Sequence, residues 1–306
     1  MRVLKLYIFV ILFSIFLKSF SQDLEPRSLS VIPTGGNFAI ASYGYSTGNI
    51  LVDNSLPIKD LDANINSFVF AYARSFKLFN KLAKFDFIAP YSFGSFSGVV
   101  YDVDSSTTRI GLADPLARLS IVLVGAKALK INEYKNQIYK KFKLGISFRV
   151  RAPFGKYDNT KFINIGANRW AFKTSVTGSY SFTKKIILEG KISSWFFTEN
   201  KEFYTNNSIK QKALLSAQLH LTYIFKQGIW TAISFGQSGQ GETIVNGVEK
   251  DDLQQNSRVG IAFAYRFAKK HAIKIAATSG VSTRYGANFT TFLIAYQFMW
   301  FDKNKK

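Results

Sequence analysis

The chain has 306 residues, a formal net charge of +21, no cysteine, two histidines and 16% aromatic residues, at a mean hydropathy of +0.02. Without cysteine there is no disulfide framework, thiolate metal site, iron–sulfur site, thiol nucleophile or lipidated N-terminal cysteine, and His220 and His271 alone do not make a multi-histidine metal site. A 47% hydrophobic content excludes a disordered polyampholyte, and the lack of a long apolar window after the N-terminal region excludes a helical membrane protein.

Residues 1–21 read as a secretory signal: Arg2 and Lys5 precede the short apolar run Leu6 to Leu17, and Ser19-Phe20-Ser21 offers small residues for cleavage before Gln22. Removing them takes three basic residues and no acid, leaving a charge of +18. An exported chain meets no genome, so the basic balance is not read as a nucleic-acid footprint. The domain reading is a signal peptide over 1–21 and one β-barrel over 22–306.

After the signal, β-branched and aromatic residues alternate with small or polar ones, punctuated by Gly, Asn, Asp and Ser. Twelve strands follow in order: 37–46, 63–76, 82–93, 109–124, 143–153, 169–181, 185–197, 213–225, 229–237, 257–267, 271–282 and 290–301. Long connections follow the odd-numbered strands (47–62, 94–108, 154–168, 198–212, 238–256, 283–289). Tight ones, 77–81, 182–184, 226–228 and 268–270, follow the even ones, except 125–142, where 126–139 is read as a short helix. Short turns at one end and long loops at the other are the habit of outer-membrane barrels. The fold class is therefore all-β: a transmembrane antiparallel up-and-down barrel of about twelve strands, in the bacterial outer membrane of a Gram-negative cell, with both termini periplasmic.

Alternation assigns the faces. In 143–153, Leu144, Ile146, Phe148 and Val150 oppose Gly145, Ser147, Arg149 and Arg151; in 213–225, Leu219, Leu221 and Tyr223 oppose Gln218, His220 and Thr222. A charge facing mid-bilayer lipid costs about 2–4 kcal/mol, so the charged parity faces the lumen. A soluble β-sandwich accounts for the same alternation with the apolar parity in a core, but aromatic residues gather near strand ends (Tyr43, Tyr45, Trp170, Trp195, Trp230, Trp300), as interfacial girdles require. The aromatic-alternating last strand resembles the one that the barrel-assembly machinery reads, with Asp302–Lys306 trailing it.

The lumen parity collects Lys84, Arg118, Arg149, Arg151, Arg169, Lys173, Lys191, His220, Arg258, Arg266 and Lys274, against the acids Asp86, Asp114 and Glu189. Two readings stand side by side: an electropositive pore that favours anionic solutes, or a salt-bridged ladder that fills a narrow barrel. Asp114-Pro115 suggests a strand interruption, with Pro115 at a bulge or rim because it has no N–H for the ladder, and Asp114 and Arg118 share parity and could pair. The run Asn164–Arg169 orders a loop or narrows the mouth. Asp251-Asp252 and Asp102-Val103-Asp104 lack metal-ligand spacing. Neither metal nor cofactor is expected. His220 has Ser216 four residues away, two steps along the face and out of direct reach, so it reads as a hydrogen-bonded wall residue and not as a catalytic base. Residues 236–241 carry three glycines without a dinucleotide fingerprint.

With the barrel argued, several motifs resemble the family of outer-membrane transporters known as "putative MetA-pathway of phenol degradation". They are Gly44-Tyr45-Ser46-Thr47-Gly48 with Leu56-Pro57-Ile58-Lys59-Asp60, Gly111-Leu112-Ala113-Asp114-Pro115 with Arg118, Ala152-Pro153-Phe154-Gly155-Lys156-Tyr157, and Ile163-Asn164-Ile165-Gly166-Ala167-Asn168-Arg169-Trp170. Trp195-Phe196-Phe197-Thr198-Glu199-Asn200, Asp251-Asp252-Leu253-Gln254 and Gly280-Val281-Ser282-Thr283-Arg284 extend the likeness over nearly the whole mature chain. The resemblance implies a barrel that passes aromatic or other hydrophobic compounds. The partners expected are outer-membrane lipid, the assembly machinery and a small solute that the sequence does not name. Two other classes stay open: an outer-membrane lipid-modifying hydrolase and a non-transporting structural barrel. Whether residues 22–34 plug the lumen is also open.

Overall fold

A computed structural model describes residues 24–52, 58–134 and 139–302. Residues 1–21, read as a signal peptide, lie outside the described residues. The wall is built from β1 (Gly36–Leu51), β2 (Ile58–Leu78), β3 (Lys81–Val100), β4 (Val103–Leu112), β5 (Leu116–Val124), β6 (Phe142–Arg151), β7 (Ala171–Ser181) and β8 (Ile186–Phe197). It continues with β11 (Leu214–Lys226), β12 (Ile229–Gln240), β15 (Gln254–Ala268), β16 (His271–Ser282) and β17 (Gly286–Phe301). Between them β9 (Asn200–Phe203), β10 (Asn207–Gln211), β13 (Thr243–Val245) and β14 (Val248–Glu249) form a separate small sheet from two long connections.

The wall strands are antiparallel neighbours in chain order, and β1 closes on β17 with an unbroken register from Gly36 opposite Phe301 to Leu51 opposite Gly286. Closure removes sheet edges, which a membrane does not tolerate because lipid offers no hydrogen bonds to unpaired backbone. β4 and β5 are the two halves of one strand, both paired with β3, so the wall counts twelve strands.

Exposure follows the alternation. On β11, Leu221, Tyr223 and Phe225 are exposed while Ser216, Gln218, His220 and Thr222 are buried. On β15, Val259, Ile261, Phe263, Tyr265 and Phe267 are exposed, and Ala262 and Ala264 are buried. A sandwich buries its apolar parity; here that parity covers the outside, which only a surrounding apolar solvent stabilises.

Three features differ from the sequence reading. The first, third and eleventh connections are not long loops, because the flanking strands run on: β3 and β4 meet at the two-residue turn Tyr101-Asp102, with φ of 50° and 59°. Consecutive positive φ values match the twist of a hairpin, a geometry that Tyr101 does not advertise. The segment 126–139, read as a short helix, is not helical over 126–130, where its backbone meets the N-terminal segment, with Thr34 N donating to Leu129 O at 2.8 Å; at 131–134 it makes a 3-10 type turn, with Glu133 N donating to Lys130 O at 3.0 Å, and 135–138 lie outside the described residues. At Ala113–Pro115 the wall strand stops and restarts, the interruption that Asp114-Pro115 suggests, and it is complete where a bulge would have kept the strand running. Beyond it β4 pairs with β3 alone, because β6 ends at Arg151. The loop 152–170 covers the free side of β4: Lys156 N donates to Leu112 O at 2.8 Å and Arg109 Nε to Ile163 O at 2.7 Å.

Candidate functional site: a cationic lumen holding the N-terminal segment

The inward parity of β3, β5, β6, β7 and β8 brings Lys84, Arg118, Arg149, Lys173 and Lys191 to one level of the barrel, because their strands are adjacent in register. Arg118 is opposite Asp86 on one side and Arg149 on the other, and Arg149 is opposite Lys173. Arg149, Lys173 and Lys191 are each 5% exposed. Unpaired buried cations cost several kcal/mol each, and the wall offers few acids.

The missing acid comes from the segment before β1. Glu25 Oε2 lies 2.7 Å from Arg118 Nη1 and 2.9 Å from Lys191 Nζ, and Glu25 Oε1 meets Arg149 Nη2. Arg118 Nε also donates to Asp86 Oδ2 at 2.7 Å. Glu189 on the wall receives the segment's backbone: Ser28 N and Oγ donate to Oε1 at 2.8 and 2.7 Å, and Leu29 N donates to Oε2 at 3.2 Å. Arg27 lies 5.2 Å over the Trp230 ring. Leu29 packs with Leu82 and Val122.

Glycines make room for the segment. A Cβ at Gly236 or Gly260 would stand 2.8 Å from a Leu24 methyl, and one at Gly145 would stand 2.6 Å from a Leu29 methyl. The wall is thus hollowed where the two leucines sit, and the packing is specific. Chemically, the site is a cation band whose charge is partly balanced by a carboxylate from a segment outside the wall.

At the long-loop end, Asp114 organises the wall break. Its Oδ1 accepts from Gly155 N and its Oδ2 from Ala167 N, each at 3.0 Å, while Arg151 Nε is 3.8 Å from Oδ2. Asn164 and Asp158 knit the loop: Asn164 Oδ1 accepts from Asp158 N at 2.8 Å, and Asp158 Oδ1 accepts from Thr160 Oγ1 and N. These Thr160 bonds to the ionised carboxylate, hydroxyl first and amide second, hold Asp158 below its ordinary value. A cavity of about 450 Å³ opens between this loop and the small sheet, touched by Arg151, Arg169, Asn200 and Phe203.

Residues 41–296 match the family described as "Putative MetA-pathway of phenol degradation". The chain belongs to that family. Its fold is similar to the COG4313 outer membrane channel from Pseudomonas putida F1, with a TM-score of 0.78 at 18% identity over 91% of this chain and all of the other. It is more loosely similar to the beta domain of the Bordetella autotransporter BrkA, with a TM-score of 0.50 at 11% identity over 87% of this chain and all of the other. No curated protein matches the chain. The architecture is that of an outer-membrane barrel.

Within this member of the phenol-degradation family, the residues assigned to the lumen by parity do not all share one place. Lys84, Asp86, Arg118, Arg149, Lys173, Glu189 and Lys191 gather around the N-terminal segment. His220 is fully buried beside them, its Nδ1 2.8 Å from Ser234 Oγ and its Nε2 3.2 Å from Gln218 Oε1. Lys274 and Arg258 are half-buried on the opposite wall, Arg258 3.5 Å from Thr278 Oγ1. Arg151, Asp114 and Arg169 belong to the mouth, with Arg151 5.7 Å over the Trp195 ring and Arg169 4.6 Å over that of Phe197. Arg266 sits at the short-turn end against Gly228 and Gln227, away from the band. Asp114 does not pair with Arg118; the interruption of the strand turns it toward the loop backbone. Sequence reasoning missed the roles of Leu24, Glu25, Ser28 and Leu29. The available signal was a shortage of acids on the lumen parity together with a lone Glu25 in a segment without strand alternation.

Proposed function

We propose that the protein is an outer-membrane channel for small hydrophobic or aromatic compounds, anionic ones included, and that its N-terminal segment plugs the lumen. The observation that carries this reading is the origin of the acid in the band. A barrel that served only as a scaffold would pair its buried cations wall to wall, whereas here Arg118, Arg149 and Lys191 converge on Glu25 of a segment outside the wall. A plug held by ionic contacts and two leucines can leave without breaking the ladder. The Pseudomonas putida barrel of similar fold is an outer membrane channel, and family membership adds the link to phenol degradation by name.

The same reading places both termini in the periplasm, since Gly36 and Phe301 lie at the short-turn end. Residues 1–21 serve as the export signal, outer-membrane lipid covers the apolar face, and the aromatic β17 is the strand offered to the assembly machinery. The chemistry is passage: both ring nitrogens of His220 are taken up by wall side chains, Nδ1 by Ser234 Oγ and Nε2 by Gln218 Oε1.

Planar-bilayer conductance and swelling of liposomes in sodium benzoate test the channel reading. The intact chain gives small, intermittent conductance, and Glu25→Gln gives larger and longer openings. No conductance and no swelling with either protein would sink it.

A further inference from the structure

A second cavity, about 420 Å³, lies at the long-loop end beyond the wall break. Its walls come from four places: the β2 start, the β3–β4 hairpin, the loop 152–170 and the small sheet. Leu61, Phe96, Phe162, Phe203, Tyr204 and Val245 give it an apolar, largely aromatic lining, and Arg109 and Lys250 are its charged members. Among the described residues lining it there is no carboxylate.

Three acids near Lys250 are engaged elsewhere, Asp158 near Arg109 accepts from Thr160, and Asp60 and Asp104 line a neighbouring hollow on the other side of Ser97, Gly98, Ser105 and Ser106. Asp251 is 2.8 Å from Arg284 Nη2, Asp252 accepts from Thr243 N and Oγ1, and Glu249 is 3.0 Å from Lys212 Nζ. Arg109 is held in place by donating Nε to Ile163 O at 2.7 Å and Nη1 to Thr107 Oγ1 and Thr108 O, all neutral acceptors. Both cations are half-buried. A fixed guanidinium and an ammonium over an aromatic floor match a planar apolar body that carries one negative group. The volume suits a ligand of one or two fused rings. Phe162 and Phe203 also line the cavity at the wall break, so the two cavities adjoin, and the latter is touched by Arg151 and Arg169.

We infer that this mouth cavity is a binding site for small aromatic carboxylates, with Arg109 and Lys250 reading the carboxylate and Phe96, Phe162 and Phe203 the ring. The inference rests on the channel reading and names the class of solute collected first.

The test uses the full barrel in lipid nanodiscs, with 2-naphthoate as a fluorescent probe and 2-naphthalenemethanol as its uncharged counterpart, each corrected for uptake by empty nanodiscs. The naphthoate binds at least about tenfold more tightly than the alcohol, and added salt narrows the gap. Lys250→Gln, on the connection between β14 and β15, weakens the naphthoate about three- to tenfold and leaves the alcohol unchanged. Arg109→Gln does the same, and Arg109→Lys restores part of the loss; heat-modifiable gel migration verifies that each variant is a folded barrel. Equal binding of acid and alcohol, or naphthoate affinity unmoved in both glutamine variants, overturns the proposal. Selective binding without benzoate swelling leaves this site standing and removes the channel reading; swelling without selective binding removes only this site.

Discussion

Glu25 and Arg118 are separated by 93 residues in sequence and by 2.7 Å in space, and this contact ties a non-strand segment to the middle of the barrel wall. Removing one partner of a buried ion pair costs about 3–5 kcal/mol; with Glu25 29% exposed, the loss is nearer about 2 kcal/mol. Glu25→Gln shifts the segment toward its undocked state. The measurable outcome is faster tryptic cleavage at Arg27 in the folded barrel, and an unchanged cleavage rate would remove the ionic clamp from the account.

Gly145 and Leu29 make the second clamp. A methyl at 145 would stand 2.6 Å from Leu29 Cδ2 and 3.0 Å from Ile121 O, and Leu29 is already packed with Leu82 and Val122. Gly145→Ala overpacks the seat by about 1–3 kcal/mol. The strand itself accepts alanine, so the barrel still shows heat-modifiable migration while trypsin reaches Arg27 faster. The double variant Gly145→Ala with Leu29→Ala is cleaved at about the rate of Leu29→Ala alone, because the alanine then has no leucine to displace.

Asp114 holds two loop amides from the wall break. Asp114→Asn keeps the size but presents an amide group to Gly155 N or Ala167 N where a carboxylate oxygen stood, leaving a buried donor poorly satisfied at a cost of about 1–3 kcal/mol. Hydrogen exchange over residues 154–168 speeds up, and exchange in β11 and β12 stays as it was. Equal change in both places would mean a general loss of stability instead.

Charge in the band, at Arg149, and at the mouth, at Arg151, sets ion preference. Arg149→Glu with Arg151→Glu replaces two cations by two acids, one of them against Glu25. The segment is repelled, conductance rises, and the reversal potential under a potassium chloride gradient moves toward cation preference. A reversal potential equal to that of the unaltered barrel would take both residues out of the conduction path.

Acid loosens the loop 152–170 through Asp158. Thr160 bonds hold Asp158 below its ordinary value, so they favour the ordered loop above the free carboxylate range. That contribution fades as pH falls through the lowered value of the folded state. The Thr160 amide therefore keeps its exchange protection through mildly acidic pH and loses it only at lower pH. Asp158→Asn shows reduced protection that is flat across the same range.

Much of the barrel was legible in the residues alone. Alternation on segments such as β6 and β11 separates a lipid face from a polar face, because a charge in lipid is costly and side chains on a strand alternate with period two. That logic located all twelve wall strands. The hairpin at Tyr101-Asp102 escaped it, since nothing local marks those residues for positive φ. The interruption at Asp114-Pro115 was signalled by proline, but the partner of Asp114 was not, because loop backbone amides 41 and 53 residues away carry no pattern.

Local chemistry thus determined which side chains point into the lumen. Only the tertiary structure decided what they meet. Strand order set Arg118, Arg149 and Lys191 around one point, and the gaps at Gly145, Gly236 and Gly260 shaped the space for Leu24 and Leu29. Parity depends on neighbours along the chain, whereas the seat of the N-terminal segment depends on the closed ladder that brings distant strands within a few ångströms of Glu25.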